Sequence, residues 1–276
     1  MYRMHHFPAH LSTSKLAGGT SYPWYPSASY NSATPLAPLG AFWELQGDTE
    51  VAGGNAFVYV KNVGGALAQG EAVSWKAPTA GTFTLTGSTL QLIYTNITTT
   101  FDETGNWLYC LSAATGGPWL RKIKACYPAA DATAKYGANT VFVISKKDPN
   151  SPSGAADIDA IQALPSNGVA VCIYRPFWVQ KCTAVTMPIG LALGTVADGN
   201  YTMVHVAGLG IGDTVGNGSN LDLTVGEPSG IDANGKLIGT NSLAPANIGA
   251  ASFNCLVPSS AASALLPFQF NCLGNL

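Results

Sequence analysis

The chain has 276 residues, 47% of them hydrophobic and only 10% charged, with 13 Lys and Arg against 15 Asp and Glu for a net charge of -2. Soluble domains average about 25% charged residues. So few scattered cations exclude the basic stripe that a nucleic-acid binder needs, the hydrophobic content excludes a disordered chain, and no apolar run reaches the ~20 residues of a membrane helix.

The first forty residues stand apart. Prolines at 8, 23, 26, 35 and 38 fix φ and remove donors, which favours an extended arm. Tyr22, Trp24, Tyr25 and Tyr30 fall within it, and rings at this density bury well and adhere. Residues 1–40 are therefore expected to form an extended N-terminal arm docked on a neighbouring subunit. Met1–Lys15 lacks the apolar core of a secretory leader, which predicts synthesis in the cytoplasm and buried thiols at Cys110, Cys126, Cys172, Cys182, Cys255 and Cys272.

From Ala41 onward the chain reads as short β-runs between Gly, Asn and Pro turns. The runs are Ala56–Lys61, Thr82–Leu85, Leu90–Tyr94, Trp107–Cys110, Thr140–Ile144, Val169–Tyr174, Phe177–Val179, Tyr201–Val206 and Leu221–Val225. They are rich in β-branched and aromatic residues and bounded by turn formers. Helix signals are confined to Pro128–Tyr136 and Ala155–Leu164, the latter capped by Ser153 and stopped before Pro165. The fold class expected is mostly β: sandwich or barrel modules, one or two short helices and an extended N-terminal arm. The echo of Ala66–Val73 in Gly208–Val215, both reading x-Leu-x-x-Gly-acid-x-Val, suggests that 41–276 holds two related β-modules, about 41–145 and 166–276, joined by a helical segment.

Catalytic chemistry finds little purchase. There is no GxSxG elbow, no P-loop and no HExxH. Gly208, Gly210 and Gly212 read as a turn, because no helix follows to receive a pyrophosphate. His5, His6 and His10 read as a polar terminus and His205 as a satisfied surface or interface histidine. Asp102-Glu103 reads as turn chemistry, and Arg121, Lys122 and Lys124 as a salt-bridge rim to a partner. No catalytic residue, metal or cofactor is expected.

Phe57-Val58-Tyr59-Val60-Lys61-Asn62, followed by Gly65–Val73, resembles the opening of small head proteins of tailed bacteriophages. Pro188–Gly208 resembles their β-module: an apolar run, an Asp-Gly turn, then Tyr-x-x-Val-x-Val-x-Gly. The resemblance implies a non-enzymatic capsid decoration, or cement, protein on the virion surface. It also implies that the protein clamps the lattice of the major capsid protein as a homotrimer, without nucleic acid or membrane as partner. Tyr22, Trp24, Tyr25, Tyr30, Phe42 and Trp43 are then the expected interface anchors, since aromatic rings dominate hot spots. The alternatives are a tail or fibre subunit, or a carbohydrate-binding surface module using Trp75, Trp107, Trp119 and Trp178.

Overall fold

The structure is a computed structural model that describes residues 3–4, 13–15, 21–26, 31–45, 55–110, 118–127, 140–144, 161, 163–183, 186–215, 223–226, 228–239, 253–256, 258 and 264–272. Its elements are all strands. In chain order they are β1 (Arg3–Met4), β2 (Thr13–Lys15), β3 (Ser21–Pro26), β4 (Phe42–Leu45), β5 (Asn55–Asn62), β6 (Ala72–Trp75), β7 (Thr79–Thr84), β8 (Leu92–Thr95), β9 (Trp107–Cys110) and β10 (Trp119–Lys122). There follow β11 (Ala125–Tyr127), β12 (Thr140–Val143), β13 (Ala170–Tyr174), β14 (Trp178–Lys181), β15 (Pro188–Ala192), β16 (Tyr201–Thr214), β17 (Gly230–Ile231), β18 (Leu237–Ile238), β19 (Phe253–Cys255) and β20 (Ala264–Asn271). The mostly-β fold expected from the sequence is the fold found. Pro128–Tyr136 and most of Ala155–Leu164 lie outside the described residues, and no described residue is helical.

The chain divides into two compact units, residues 1–76 with 177–276, and residues 77–176. The second is inserted into the first, so the division does not follow the expected sequential pair 41–145 and 166–276. The echo that suggested such a pair has no common structure. Gly70 sits in a turn at φ 80°, whereas Gly208–Thr214 is continuous strand.

The first unit is built on a closed ring of five strands. β5 pairs with β14, β14 with β6, β6 with β15, β15 with β16, and β16 returns to β5. Only β5–β14 is parallel. Closure removes the exposed edges that an open sheet would carry. Alternation then sorts the side chains: Val58 and Val60 of β5 and Val204 and Val206 of β16 meet Val73, Val179 and Ile189 in one core. The opposite face of β5 and β16 carries Phe57, Tyr59 and Met203, which pack with Trp43 in a second core. Burial on both faces explains why these strands read as nearly unbroken apolar runs.

The ring is extended on either side. β4 adds to β5, with Phe42 opposite Val58 and Trp43 opposite Phe57, and β1 adds to β4. β2 and β3 form a separate hairpin. Residues 31–40 run back across the unit: Ser32 bridges Tyr201, and Gly40 N–H donates to the Tyr59 carbonyl at 2.8 Å. The described parts of the N-terminal segment are thus extended, but they pair within their own chain. Beyond the ring, the second half of β16 pairs with β20 from Ala207↔Asn271 to Thr214↔Ala264, and β19 pairs with β20.

The inserted unit is one antiparallel sheet in the order β10-β9-β13-β7-β8-β12-β11. Its two outermost strands, β10 and β11, are joined by Ile123 and Lys124 alone, so the sheet must curl until its ends meet. The curl encloses Phe83, Ile93, Leu108, Phe142, Val171 and Ile173. One charge pair lies inside this unit. Arg175 Nε donates to Glu103 Oε2 at 2.9 Å and Arg175 Nη2 to Oε1 at 2.7 Å, with both side chains at most 5% exposed. Thr99 Oγ1 and Asn106 Nδ2 donate to the same carboxylate at 2.7 and 2.8 Å, and Arg175 Nη1 donates to Thr79 Oγ1 at 2.5 Å. Asp102-Glu103 does form a turn, since Asn106 N–H donates to the Glu103 carbonyl at 3.0 Å, but the Glu103 side chain turns inward. Removing one partner strands a buried charge, which costs about 3–5 kcal/mol. Arg175→Ala is therefore expected to lower the unfolding free energy by about that amount in urea titration, while Leu120→Ala on the exposed side of β10 changes it little.

Candidate interface surface

The six expected anchors do not form one surface. Tyr22, Trp24 and Tyr25 lie on β3, and Tyr30 lies outside the described residues. Phe42 and Trp43 are 4% and 0% exposed, so their rings belong to the interior of the first unit and present nothing to a partner. The cause is register: β4 lies beside β5, and Phe42 and Trp43 enter the two cores that β5 separates.

The tryptophans considered for sugar stacking are also largely withdrawn from the surface. Trp119 and Trp178 are buried, and Trp75 and Trp107 are half-buried. Lys61 Nζ lies 4.4 Å from the centre of the Trp178 ring and 5.5 Å from that of Tyr201. Trp75 meets Phe177 edge-on at 6.1 Å. Phe177 holds φ 64°, the one positive φ outside glycine among the described residues, and its ring fills the space where Gly40 lacks a Cβ. A bulky residue in that region stores about 1–3 kcal/mol, which the surrounding packing must offset. Alongside, Pro35–Leu39 and Tyr201 line a shallow apolar depression, held by the Leu36 N–H to Tyr59 Oη bond at 2.9 Å.

Sequence reasoning also missed exposed leucines on the outer side of β16 and β20 and just beyond β19. Register places Leu209 opposite Gln269, Asp213 opposite Leu265, and Asn254 opposite Gln269. Leu209, Leu265 and Leu256 are 41%, 50% and 39% exposed, and Ile211 between them is half-buried. The inner side alternates with it: Gly212, Phe268, Phe253 and Cys255 are buried there. Gly208, Gly210 and Gly212 are thus not a turn but the inward positions of a strand. A Cβ on Gly212 would come within 2.8 Å of the Phe268 ring, so glycine is what admits that ring.

Several ionisable groups among the described residues are committed to structure. Glu71 Oε1 takes Lys181 Nζ at 2.7 Å, and Asp213 Oδ2 takes Lys236 Nζ at 3.0 Å. Burial pushes the Cys126 thiol up to about 12, which removes it as a nucleophile at neutral pH. Among the described residues no three of His, Cys, Asp and Glu gather as a metal site. His5, His6 and His10 lie outside those residues. Arg121, Lys122 and Lys124 follow one another on β10 and its exit, with Lys122 the exposed member. No family model matches the chain, and comparison with curated proteins and with solved structures finds no match.

His205 is a core residue rather than a surface one, at 1% exposure. Its ring stacks on Phe57 at 4.5 Å, and Nε2 lies 3.1 Å from Asn55 Oδ1. That oxygen also accepts the Leu209 N–H at 3.0 Å, so Nε2 is the donor. Burial holds its pKa down from 6.5 to about 3. In the unfolded chain it protonates near 6.5 and in the native state only near 3, so the unfolded state binds the extra proton between those values. Stability is complete above about pH 6.5 and falls with decreasing pH by up to about 1.4 kcal/mol per unit from this group. Urea midpoints measured from pH 7 to pH 4.5 are expected to drop less steeply in His205→Gln, which keeps a donor but cannot titrate.

Proposed function

We propose that this chain is a non-enzymatic structural protein of a virus particle, a capsid decoration or cement subunit that sits on the shell and stabilises the lattice of the major capsid protein. The observation that carries the reading is where the two phage-like stretches fall. Phe57–Val73 supplies most of β5 and the first half of β6, and Pro188–Gly208 supplies β15 and the first part of β16. Though far apart in the chain they contribute to four of the five strands of one closed ring, with β5 against β16 and β6 against β15. Resemblances from chance turn chemistry have no reason to converge on one module.

The placement of charge supports the same reading. A protein that covers a shell binds through surface, and here the described acids with strong partners serve folding rather than a reaction. Exposed leucines such as Leu209 on β16 and Leu265 on β20 offer apolar area of the kind that association uses. Particles purified from the source of this chain are expected to carry it, visible by electron cryo-microscopy as density over the outer lattice of the shell. Recovery only in tail or fibre fractions, or not in particles at all, overturns the proposal.

A further inference from the structure

We infer that Asn234 is a site of spontaneous covalent modification, where the chain's own backbone turns the carboxamide into a carboxylic acid with loss of ammonia. An Asn-Gly pair is chemically labile because glycine has no side chain to shield its amide nitrogen. The reaction starts when the Gly235 nitrogen gives up its proton to hydroxide and attacks Asn234 Cγ. The new N–Cγ bond closes a five-membered succinimide. The Cγ–Nδ2 bond breaks, and Nδ2 takes a proton from water and leaves as ammonia, which restores the hydroxide. Water then opens the ring at Cγ to give aspartate, or at the Asn234 backbone carbonyl to give isoaspartate, in which the main chain runs through the side chain. Water is consumed, ammonia is released, and no group is oxidised or reduced.

The structure selects this pair over Asn167-Gly168 in the inserted unit; Asn217-Gly218 lies outside the described residues. Asn167-Gly168 is clamped to Phe83 and Leu85. Leu85 N–H donates to Asn167 Oδ1 at 3.0 Å, Gly168 N–H to the Phe83 carbonyl at 2.9 Å, and Phe83 N–H to the Val169 carbonyl at 2.8 Å. Electrophile and nucleophile are both held by a distant part of the chain and must let go of it. Asn234 is exposed in the turn between β17 and β18. Its bonds are longer and local: Gly235 N–H donates to the Asp232 carbonyl at 3.2 Å, and Asn234 Nδ2 to Asp232 Oδ2 at 3.3 Å. They can break while the Asp232 N–H, donating to the Lys236 carbonyl at 2.9 Å, keeps the hairpin closed. The product bears on the fold. The Gly235 carbonyl accepts the Ala72 N–H of β6 at 2.7 Å, and a Cβ on Gly235 would lie 2.9 Å from Lys181 Cγ. Isoaspartate inserts a methylene into the main chain at this close contact, and either product sets a second carboxylate beside Asp232.

The test is incubation of the full chain in mildly alkaline buffer, folded and in urea, followed by peptide mapping with mass spectrometry and labelling of isoaspartate by an isoaspartyl methyltransferase. In the folded chain the Asn234 peptide is expected to acquire the mass of the acid at least about fivefold faster than the Asn167 peptide, the factor that one net hydrogen bond is worth. In urea the two are expected to react at similar rates, since only the local sequence then acts. Asn234→Gln lengthens the side chain and slows ring closure, so its peptide is expected to stay unchanged. After incubation the urea midpoint of the wild type is expected to fall below that of fresh protein, while that of Asn234→Gln holds. Far-ultraviolet circular dichroism checks that the variant is folded. Equal rates at the two sites in the folded chain, a faster Asn167, or an Asn234 that reacts only in urea overturns the inference. A wild type that converts at Asn234 with its midpoint unmoved overturns the consequence for the fold.

Discussion

The constraint on which the first unit depends is the return of β16 to β5. Val58 faces Val204 across that seam, and without it the remaining ring strands would form an open sheet with two unpaired edges. Closing a loop of this length costs entropy, but only as the logarithm of its length, so a long insertion within it is tolerated. The insertion also leaves at a favourable place. β6 ends at Trp75 and β14 begins at Trp178, and the two strands are neighbours in the ring, with Trp75 opposite Val179. Lys76 N–H donates to the Trp178 carbonyl at 2.8 Å. The two ends of residues 77–176 are therefore already held together by the ring, and a separate unit can fold between them without opening the seam.

The same seam sets the polar cost and the shape of what lies beyond it. The register of β16 against β5 slips between His205 and Ala207, and Ala207 pairs with β5 on one edge and with β20 on the other. At the slip the backbone of Gly208 takes φ 111°, and a Cβ there would overlap Asn55 Oδ1. Glycine is required on both grounds. Asn55 then satisfies two donors exposed by the bulge, the His205 ring and the Leu209 amide. A buried histidine is the consequence of turning a strand out of a closed ring, and its acid sensitivity follows from that geometry rather than from any reaction.

What the sequence revealed and what it hid divide along physical lines. Strands such as Ala56–Lys61 and Trp107–Cys110 were legible because β-branched and aromatic runs between turn formers depend on local pattern alone. Leu221–Val225 reads the same way, yet Val225 lies in a turn, since tertiary pairing decides whether a short run becomes a strand. β20 was hidden by Pro267, which argues against a paired strand. The alternate glycines of β16 look like a turn in the sequence, because the partner that needs their space, Phe268, is more than fifty residues away. Phe42 and Trp43 look like anchors in the sequence because an aromatic pair beside a proline-rich arm says nothing about which side of β5 it will lie on. Glu103 and Arg175 carry no mutual signal, since turn chemistry around Asp102 explains the first locally and nothing in the sequence brings the second to it. The outer leucines depend in turn on a pairing, β16 with β20, that no local pattern announces.

The low charge can now be placed. Of 13 basic and 15 acidic residues, 28 in all, Glu71, Glu103, Arg175 and Asp213 are buried, and Lys181 and Lys236 are committed to two of those carboxylates. The charge available to the surface is thus smaller than the composition suggests. Interior ion pairs contribute little net stability relative to apolar packing of the same shape, so the core does not explain why charge is spent there while the outer side of β16, β20 and β19 carries leucine. A soluble sheet face that meets only water gains solubility from charge at almost no cost to folding. Leu209 and Leu265 stand exposed where a charge would have cost folding little.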